Sequence, residues 1–191
     1  YLHYFKPRRV YQDYLRWIKL LFSCLMSYLN RFNSEIIVNK PEQLLGSLDS
    51  DKVYTLDGTI DIGANSITVP DGGLNIRGLA VNTSQIVSSA NNNSIFNGAD
   101  AGDLFLSKMT LSASGTGSQV FSLTDADGTH SIELKEINFI NCTELGELDS
   151  FRQIFGETLF TLLVQDGFTF TGNWIGGAVF RDWRAVAAGF S

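Results

Sequence analysis

The sequence predicts an all-β body, built as a parallel β-helix, behind one N-terminal amphipathic α-helix. Three observations carry that expectation. The chain of 191 residues changes composition sharply near residue 40. Beyond that point, short β-rich runs alternate with Gly- and Asn-containing turns. Apolar positions in those runs recur at a constant step, the mark of one coil stacked on another.

The composition split comes first. Residues 1–40 hold 7 basic and 2 acidic side chains, a net +5. Residues 41–191 hold 7 basic and 18 acidic, a net −11. All 18 Gly lie after residue 45. A basic, aromatic segment therefore precedes an acidic, glycine-rich body, which assigns docking to the first and exposure to the second. The length suits one core with an appendage. A chain that is 44% apolar is not wholly disordered, and its Gly lacks the triplet period of collagen. A net charge of −6 argues against nucleic acid as a partner of the whole chain. Cys24 and Cys142 are too few for a disulfide scaffold. With His3 and His130 they are too scattered for a zinc site. No cofactor is expected.

The helix is predicted over Val10–Phe32, which has no Gly or Pro. One apolar stripe runs through Tyr11, Leu15, Ile18, Phe22, Leu25, Leu29 and Phe32. A second runs through Val10, Tyr14, Trp17, Leu21, Cys24 and Tyr28, making a broad apolar face. Pro7 sits just before it and Asn33-Ser34 just after. Within this segment the longest uncharged stretch, Leu20–Asn30, has 11 residues, against about 20 for a membrane span. No span is expected. Lys6, Arg8 and Arg9 before Leu20–Leu29 resemble a signal peptide, but Asn30-Arg31-Phe32-Asn33 is a poor cleavage site. A membrane-surface helix, a helix buried between subunits and a helix packed on its own domain remain open. Residues 1–37 form the expected docking segment, with Trp17, Leu21, Phe22, Leu25 and Tyr28 as anchors and Arg8 and Arg9 for orientation.

The body is expected over residues 38–191. Val38–Gly46 predicts a short capping helix, with Pro41 in its first turn and Gly46 at its end. Strands are expected at Val53–Leu56, Thr59–Ile62, Ser66–Val69 and Leu74–Ile76, then at Gln85–Ser88, Leu104–Leu106, Met109–Ser112 and Gln119–Leu123. Ser131–Lys135, Ile137–Ile140, Leu159–Val164 and Phe168–Thr171 complete the series, with one helical turn possible in Leu148–Phe155. Sandwich, antiparallel barrel and parallel β-helix compete for this pattern. Asp57-Gly58, Asn97-Gly98, Asp127-Gly128 and Asp166-Gly167 are hairpin signals. The repeat favours the β-helix: Ile76, Leu104, Ile132 and Phe160 align at steps of 28, and Ile95-Phe96, Val120-Phe121, Ile154-Phe155 and Val179-Phe180 form a second marker. Ile76, Leu104, Leu106, Ile132, Leu134 and Phe139 should face inward. The apolar stretch Trp183–Ser191 calls for a partner or for more chain, and a first residue of Tyr hints at an incomplete sequence.

Pro41-Glu42-Gln43-Leu44-Leu45, Val53–Gly58 and Ile67–Gly78 together resemble the opening of parallel β-helix proteins of tailed-bacteriophage virions, of the tail-fibre and tailspike-like kind. Asn141–Gly146 and Gly172–Gly177 resemble later coils of such proteins. The resemblance covers residues 38–180 and is structural, and secreted pectinase-like β-helices share much of it. It implies a right-handed β-helix, a homotrimer and a place in a virion. The N-terminal helix lies outside it.

Glycan-cleaving β-helices use paired carboxylates about 5 to 9.5 Å apart. The candidates are Asp100 with Asp103, Asp125 with Asp127, and Glu144, Glu147 and Asp149. Each group sits in a turn-like segment, where solvated turn residues are the simpler account. Asp125 and Asp127 offer a fragment of a calcium loop. His130 reads as a turn residue, and no nucleophile elbow, P-loop or zinc-protease motif occurs. Trp174 and Trp183 suit sugar stacking, or packing beside Gly176-Gly177. The expected function is a non-enzymatic virion component, docked by its helix, with its body as an exposed stem. A glycan-binding or glycan-degrading β-helix is the alternative, and a surface adhesin with a membrane-associated helix the next. Other virion proteins and a host-surface glycan are the expected partners.

Overall fold

The computed structural model describes residues 34–186. The expected N-terminal helix and its docking residues Trp17, Leu21, Phe22, Leu25, Tyr28, Arg8 and Arg9 lie outside the described residues. No described helix is long and apolar enough to cross a membrane.

The body is an all-β parallel solenoid of about six turns. Its strands are β1 (Glu35–Val38), β2 (Val53–Leu56), β3 (Thr59–Asp61), β4 (Ile67–Thr68), β5 (Leu74–Gly78) and β6 (Gln85–Ser88). There follow β7 (Ser94–Gly98), β8 (Leu104–Ala113), β9 (Gln119–Thr124), β10 (Ser131–Asp149), β11 (Gln153–Thr171) and β12 (Gly177–Val186). They stack into three faces. The first runs β1-β2-β5 and on through the starts of β8, β10, β11 and β12. The second runs β3-β6 and on through the later parts of the same long strands. The third runs β4-β7-β9 and ends on β10 and β11.

All the registered pairings are parallel, so the Asx-Gly pairs make no hairpins. Asp57-Gly58 turns the corner between β2 and β3, Asn97-Gly98 ends β7, and Asp166-Gly167 lies inside β11. The expected strands Met109–Ser112 and Ile137–Ile140 are continuous with their predecessors. Their corners are single residues with left-handed backbone, Lys108 (φ 55°) and Glu136 (φ 54°). Thr158 and Asp182 occupy the matching corners of β11 and β12, with φ 56° and 53°. One such residue redirects the chain without a loop.

Alternation puts Ile76, Leu104, Leu106, Ile132, Leu134 and Phe139 in the core, each at most 1% exposed. On the first face Tyr54, Ile76, Leu106 and Leu134 form one inward row. The uniform step does not hold. Leu104 does pair with Ile132, but Ile76 pairs with Leu106, a step of 30, and Ile132 with Ile154, a step of only 22. Phe160 belongs to the second face, beside Asn138. Loops such as residues 79–84 lengthen the earlier coils, whereas left-handed corners shorten the later ones. In the second marker, Phe96 does pair with Phe121, but Phe155 pairs with Val179 rather than Phe180.

The expected capping helix is a strand plus one turn. The β-branched run Ile36-Ile37-Val38 extends beside β2, so the solenoid begins at Glu35. A 3-10 turn at Pro41–Gln43 then places Leu44, fully buried, over the first coil. Gln43 fastens it: Oε1 accepts from the Asn39 and Lys40 N–H groups, and Nε2 donates to the Ile37 carbonyl. Leu148–Phe155 holds the end of β10, a turn with Ser150 at φ 60°, and the start of β11.

On the third face, Phe96, Phe121, Gly146 and Phe168 are successive partners. Gly146 has φ 102°, and a Cβ there would strike the Phe121 carbonyl. The missing side chain lets Phe121 and Phe168 approach across it, with ring centroids 5.9 Å apart.

Candidate functional site

Two features stand out on the described surface, and they meet at one edge of the first face. The first is the corner where the third face returns to the first. There the turns before β5, β8 and β10 lie one above another. The Gly102 N–H donates to the Pro70 carbonyl, and the Leu74 N–H donates to the Asp103 carbonyl. Asp103 Oδ1 accepts the Ser131 N–H at 2.7 Å, tying this turn to the first residue of β10.

The third of these turns holds a buried carboxylate. Asp125 has no exposed surface. Its Oδ1 accepts the Asp127 N–H at 3.2 Å, and its Oδ2 accepts the His130 N–H at 2.7 Å. His130 Nδ1 lies 3.1 Å from Asp125 Oδ1. Burial pushes the Asp125 carboxyl up, but the His130 bonds and charge and the Gly128 N–H together bring it below its ordinary value. His130 is raised by its bond to Asp125. Burial opposes that rise, and the charges of Asp125, Asp103 and Asp71 add to it. With Asp125 ionised, Nδ1 carries the proton and the ring is fixed in orientation. The turn is thus a closed Asp–His clamp.

The second feature is a groove on the outside of the first face, with a cavity of about 410 Å³. Its floor is an outward row in strict register: Phe105, Glu133, Phe155 and Val179. Asp103, Ser131 and Gln153 form its wall on the clamp side. Phe105 is 38% exposed, and the Glu133 carboxylate has no hydrogen bond or ion pair to a described residue. Arg181 sits 5.6 Å from the centroid of the Phe155 ring. In the neighbouring outward row, Lys135 and Glu157 pair at 3.6 Å.

The carboxylate groups singled out in the sequence fare differently. Asp100 is exposed, whereas Asp103 joins the groove wall. Asp125 and Asp127 do not share an opening. Asp125 is turned inward onto N–H donors, which is the wrong polarity for holding calcium, and Asp127 is exposed. Glu147 accepts from the Thr171 hydroxyl and Asp149 from the Ser150 hydroxyl. No group of three metal-ligating side chains occurs among the described residues. Trp174 is a packing residue: its Nε1 donates to the Thr171 carbonyl at 2.7 Å, and its ring meets Phe170 and Phe151. Trp183 packs against Phe168 and Phe180. Burial pushes the Cys142 thiol up to about 11, so it is neither nucleophile nor ready metal ligand.

Sequence reasoning misses the groove row and the clamp. Outward alternation of Phe105 and Phe155 is a signal for the first. Asp125 five positions before His130, across a Gly turn, is a signal for the second. Neither a family model, nor a curated protein, nor a solved structure matches the chain.

Proposed function

We propose that the chain is a structural component of a tailed-phage virion, docked by its N-terminal segment and exposing its body as a stem. The observation that carries this reading is the uninterrupted parallel ladder on the first face, from β2 to β12. Its hydrogen bonds run along the solenoid axis, so the body resists extension as a stem must. The resemblance of residues 38–180 to β-helix virion proteins supports the same reading, and with it a right-handed coil and a homotrimer. The charge split, +5 against −11, gives the two ends different partners. Trp17, Leu21, Phe22, Leu25 and Tyr28 supply the docking contacts, and Arg8 and Arg9 set their orientation.

The test is mass spectrometry of purified particles assembled with the full chain or with a chain lacking residues 1–34. The full chain is found in particles and the truncated one is lost. Absence of the full chain, or normal incorporation of the truncated one, overturns the reading. Sedimentation of the free protein should give three times the 21.1 kDa of one chain.

The outer groove favours a second reading, contact with a glycan. It sets the exposed Phe105 ring beside the Glu133 carboxylate in one concave surface.

A further inference from the structure

We infer that the second face, with the basic edge it shares with the first, docks against the acidic third face of a second copy of this chain, side by side and at the same height. The inference rests on the homotrimer reading and adds the two surfaces that meet.

The edge collects most of the positive charge of an acidic body. Residues 41–191 hold 7 basic side chains, and 5 of them, Arg77, Lys108, Lys135, Arg181 and Arg184, lie along this edge. Arg77, Lys135 and Arg181 are exposed in one outward row that also holds Ser107 and Glu157. Lys108 stands at the left-handed corner of β8, and Arg184 just beyond the matching corner of β12. Glu136, Glu157 and Asp182 stand against them, and Asp61 is the one carboxylate on the second-face strands. Edge and second face together therefore carry +1, by 5 − 4, while the rest of residues 41–191 carries −12, by 2 − 14. The second face is also apolar on its outside. Ile140, Leu162 and Val186 are successive outward partners, and Val186 is 53% exposed.

The third face has the opposite character. β4, β7, β9 and the third-face parts of β10 and β11, residues 142–149 and 164–171, hold Glu144, Glu147, Asp149 and Asp166 and no Lys, Arg or His. These carboxylates sit on β10 and β11. Lys108 on β8, Lys135 on β10 and Arg181 and Arg184 on β12 lie within one coil of them, at about 4.8 Å a coil. A body of net −11 repels its own copies, so a favourable contact needs the one surface that is not negative. The charge complement of that surface is on the same chain, which makes a second copy the partner. A contact between two different surfaces of one chain is heterologous and passes from copy to copy until it closes a ring. Closure about an axis along the solenoid keeps every copy at one height, and the matching levels of the two surfaces satisfy it. The contact also takes the Ile140, Leu162 and Val186 row out of water.

The experiment is sedimentation equilibrium of the full chain and of charge-reversed variants, each checked for an unchanged far-UV spectrum. One variant reverses the edge with Lys108→Glu, Lys135→Glu and Arg181→Glu. Another reverses the third face with Glu144→Lys, Glu147→Lys and Asp166→Lys, and a last one carries all six changes. Each single-surface variant dissociates at a concentration at least about tenfold higher than the unmodified chain, and the sixfold variant recovers the original value. The third-face variant brings the net charge from −6 to 0, so general repulsion alone predicts tighter association, and its weakening reads the contact itself. Val186→Thr weakens association by at least about threefold, and Phe105→Thr on the first face leaves it unchanged. An unmodified chain that sediments at 21.1 kDa at micromolar concentration overturns the inference together with the homotrimer reading. Single-surface variants that associate as tightly as the unmodified chain overturn the choice of surfaces and leave the homotrimer reading standing. A sixfold variant that stays dissociated overturns the pairing of these two surfaces. Weakening by Phe105→Thr and not by Val186→Thr moves the contact to the first face and overturns the assignment to the second.

Discussion

The coils before residue 104 and those after residue 131 turn the same three corners by different means. In the earlier coils, loops such as residues 79–84 and 89–93 separate strands of two to five residues. Buried hydroxyls hold those loops. Ser84 Oγ donates to the Leu56 carbonyl of the coil below and accepts the Leu79 N–H. Ser88 Oγ donates to the Gly63 carbonyl, and Thr110 Oγ1 donates to the Val81 carbonyl. In the later coils β10 and β11 each run for 19 residues through all three faces. Their corners are single left-handed residues, among them Glu136, Thr158 and Leu163. Side-chain stitches stabilise the first half. The second half relies on ladder hydrogen bonds and tolerates backbone strain. The difference teaches that a constant cross-section does not require a constant coil length.

What the two halves share is the inward row, and breaking it gives the largest effect. Leu134→Asp places an unpaired carboxylate at a fully buried position between Leu106 and Gly156. The expected loss is at least about 4 kcal/mol, enough to remove most folded protein. Urea unfolding checks it, and a wild-type midpoint contradicts the inward assignment.

Next is the clamp that joins the halves. Asp125→Ala leaves the N–H groups of Asp127 and His130 without their acceptor, at a cost of about 2 to 3 kcal/mol. It also removes a pH dependence. His130 is held above its ordinary value, so its contribution is full below about pH 6.5 and is lost as pH rises through the raised value. Asp125 is held below its ordinary value, so its contribution is full above about pH 3.9 and is lost as pH falls through the lowered value. Melting temperature against pH should therefore show both limbs in the wild type, whereas Asp125→Ala loses the acid limb and keeps only the small part of the alkaline limb that the charges of Asp103 and Asp71 sustain. The same profile in both proteins contradicts the clamp.

Smaller effects distinguish the two kinds of corner. Ser84→Ala removes a looped-corner stitch and should cost about 1 to 2 kcal/mol. Thr158 is β-branched at φ 56°, a strained choice that Asn tolerates better. Thr158→Asn should stabilise by about 1 kcal/mol, raising the melting temperature by about 2 to 4 °C. Calorimetry reads both. Opposite signs at the two sites support the contrast, and destabilisation at both contradicts it.

These corners also explain what is legible in the sequence. Period-two alternation survives any coil length, so Leu104, Leu106, Ile132 and Leu134 are assignable to the interior. Coil length is not legible. Glu136 and Thr158 carry none of the Gly or Asn signature that marks a left-handed turn, so β10 and β11 read as separate strands. A constant step then aligns Phe160 with the wrong face. The same gap hides the candidate site. Phe105, Glu133 and Phe155 become a row only once steps of 28 and 22 are both known. Asp125-Ala126-Asp127-Gly128 resembles a cation loop because the sequence does not show that backbone N–H groups fill the carboxylate. The residues expected to dock lie outside the described residues.

The shortening of the coil is the central claim, and engineered disulfides test it most directly. A disulfide needs Cα atoms about 4.4 to 6.8 Å apart, which adjacent strands provide. Lys135 is registered with Glu157, a step of 22, whereas a uniform step of 28 would bring it to Leu163. In a Cys24→Ser background, Lys135→Cys is combined with either Glu157→Cys or Leu163→Cys, and each is oxidised and mapped by peptide mass. The account predicts an intramolecular bond between positions 135 and 157 and none between 135 and 163. A bond between 135 and 163 in place of the first would contradict it.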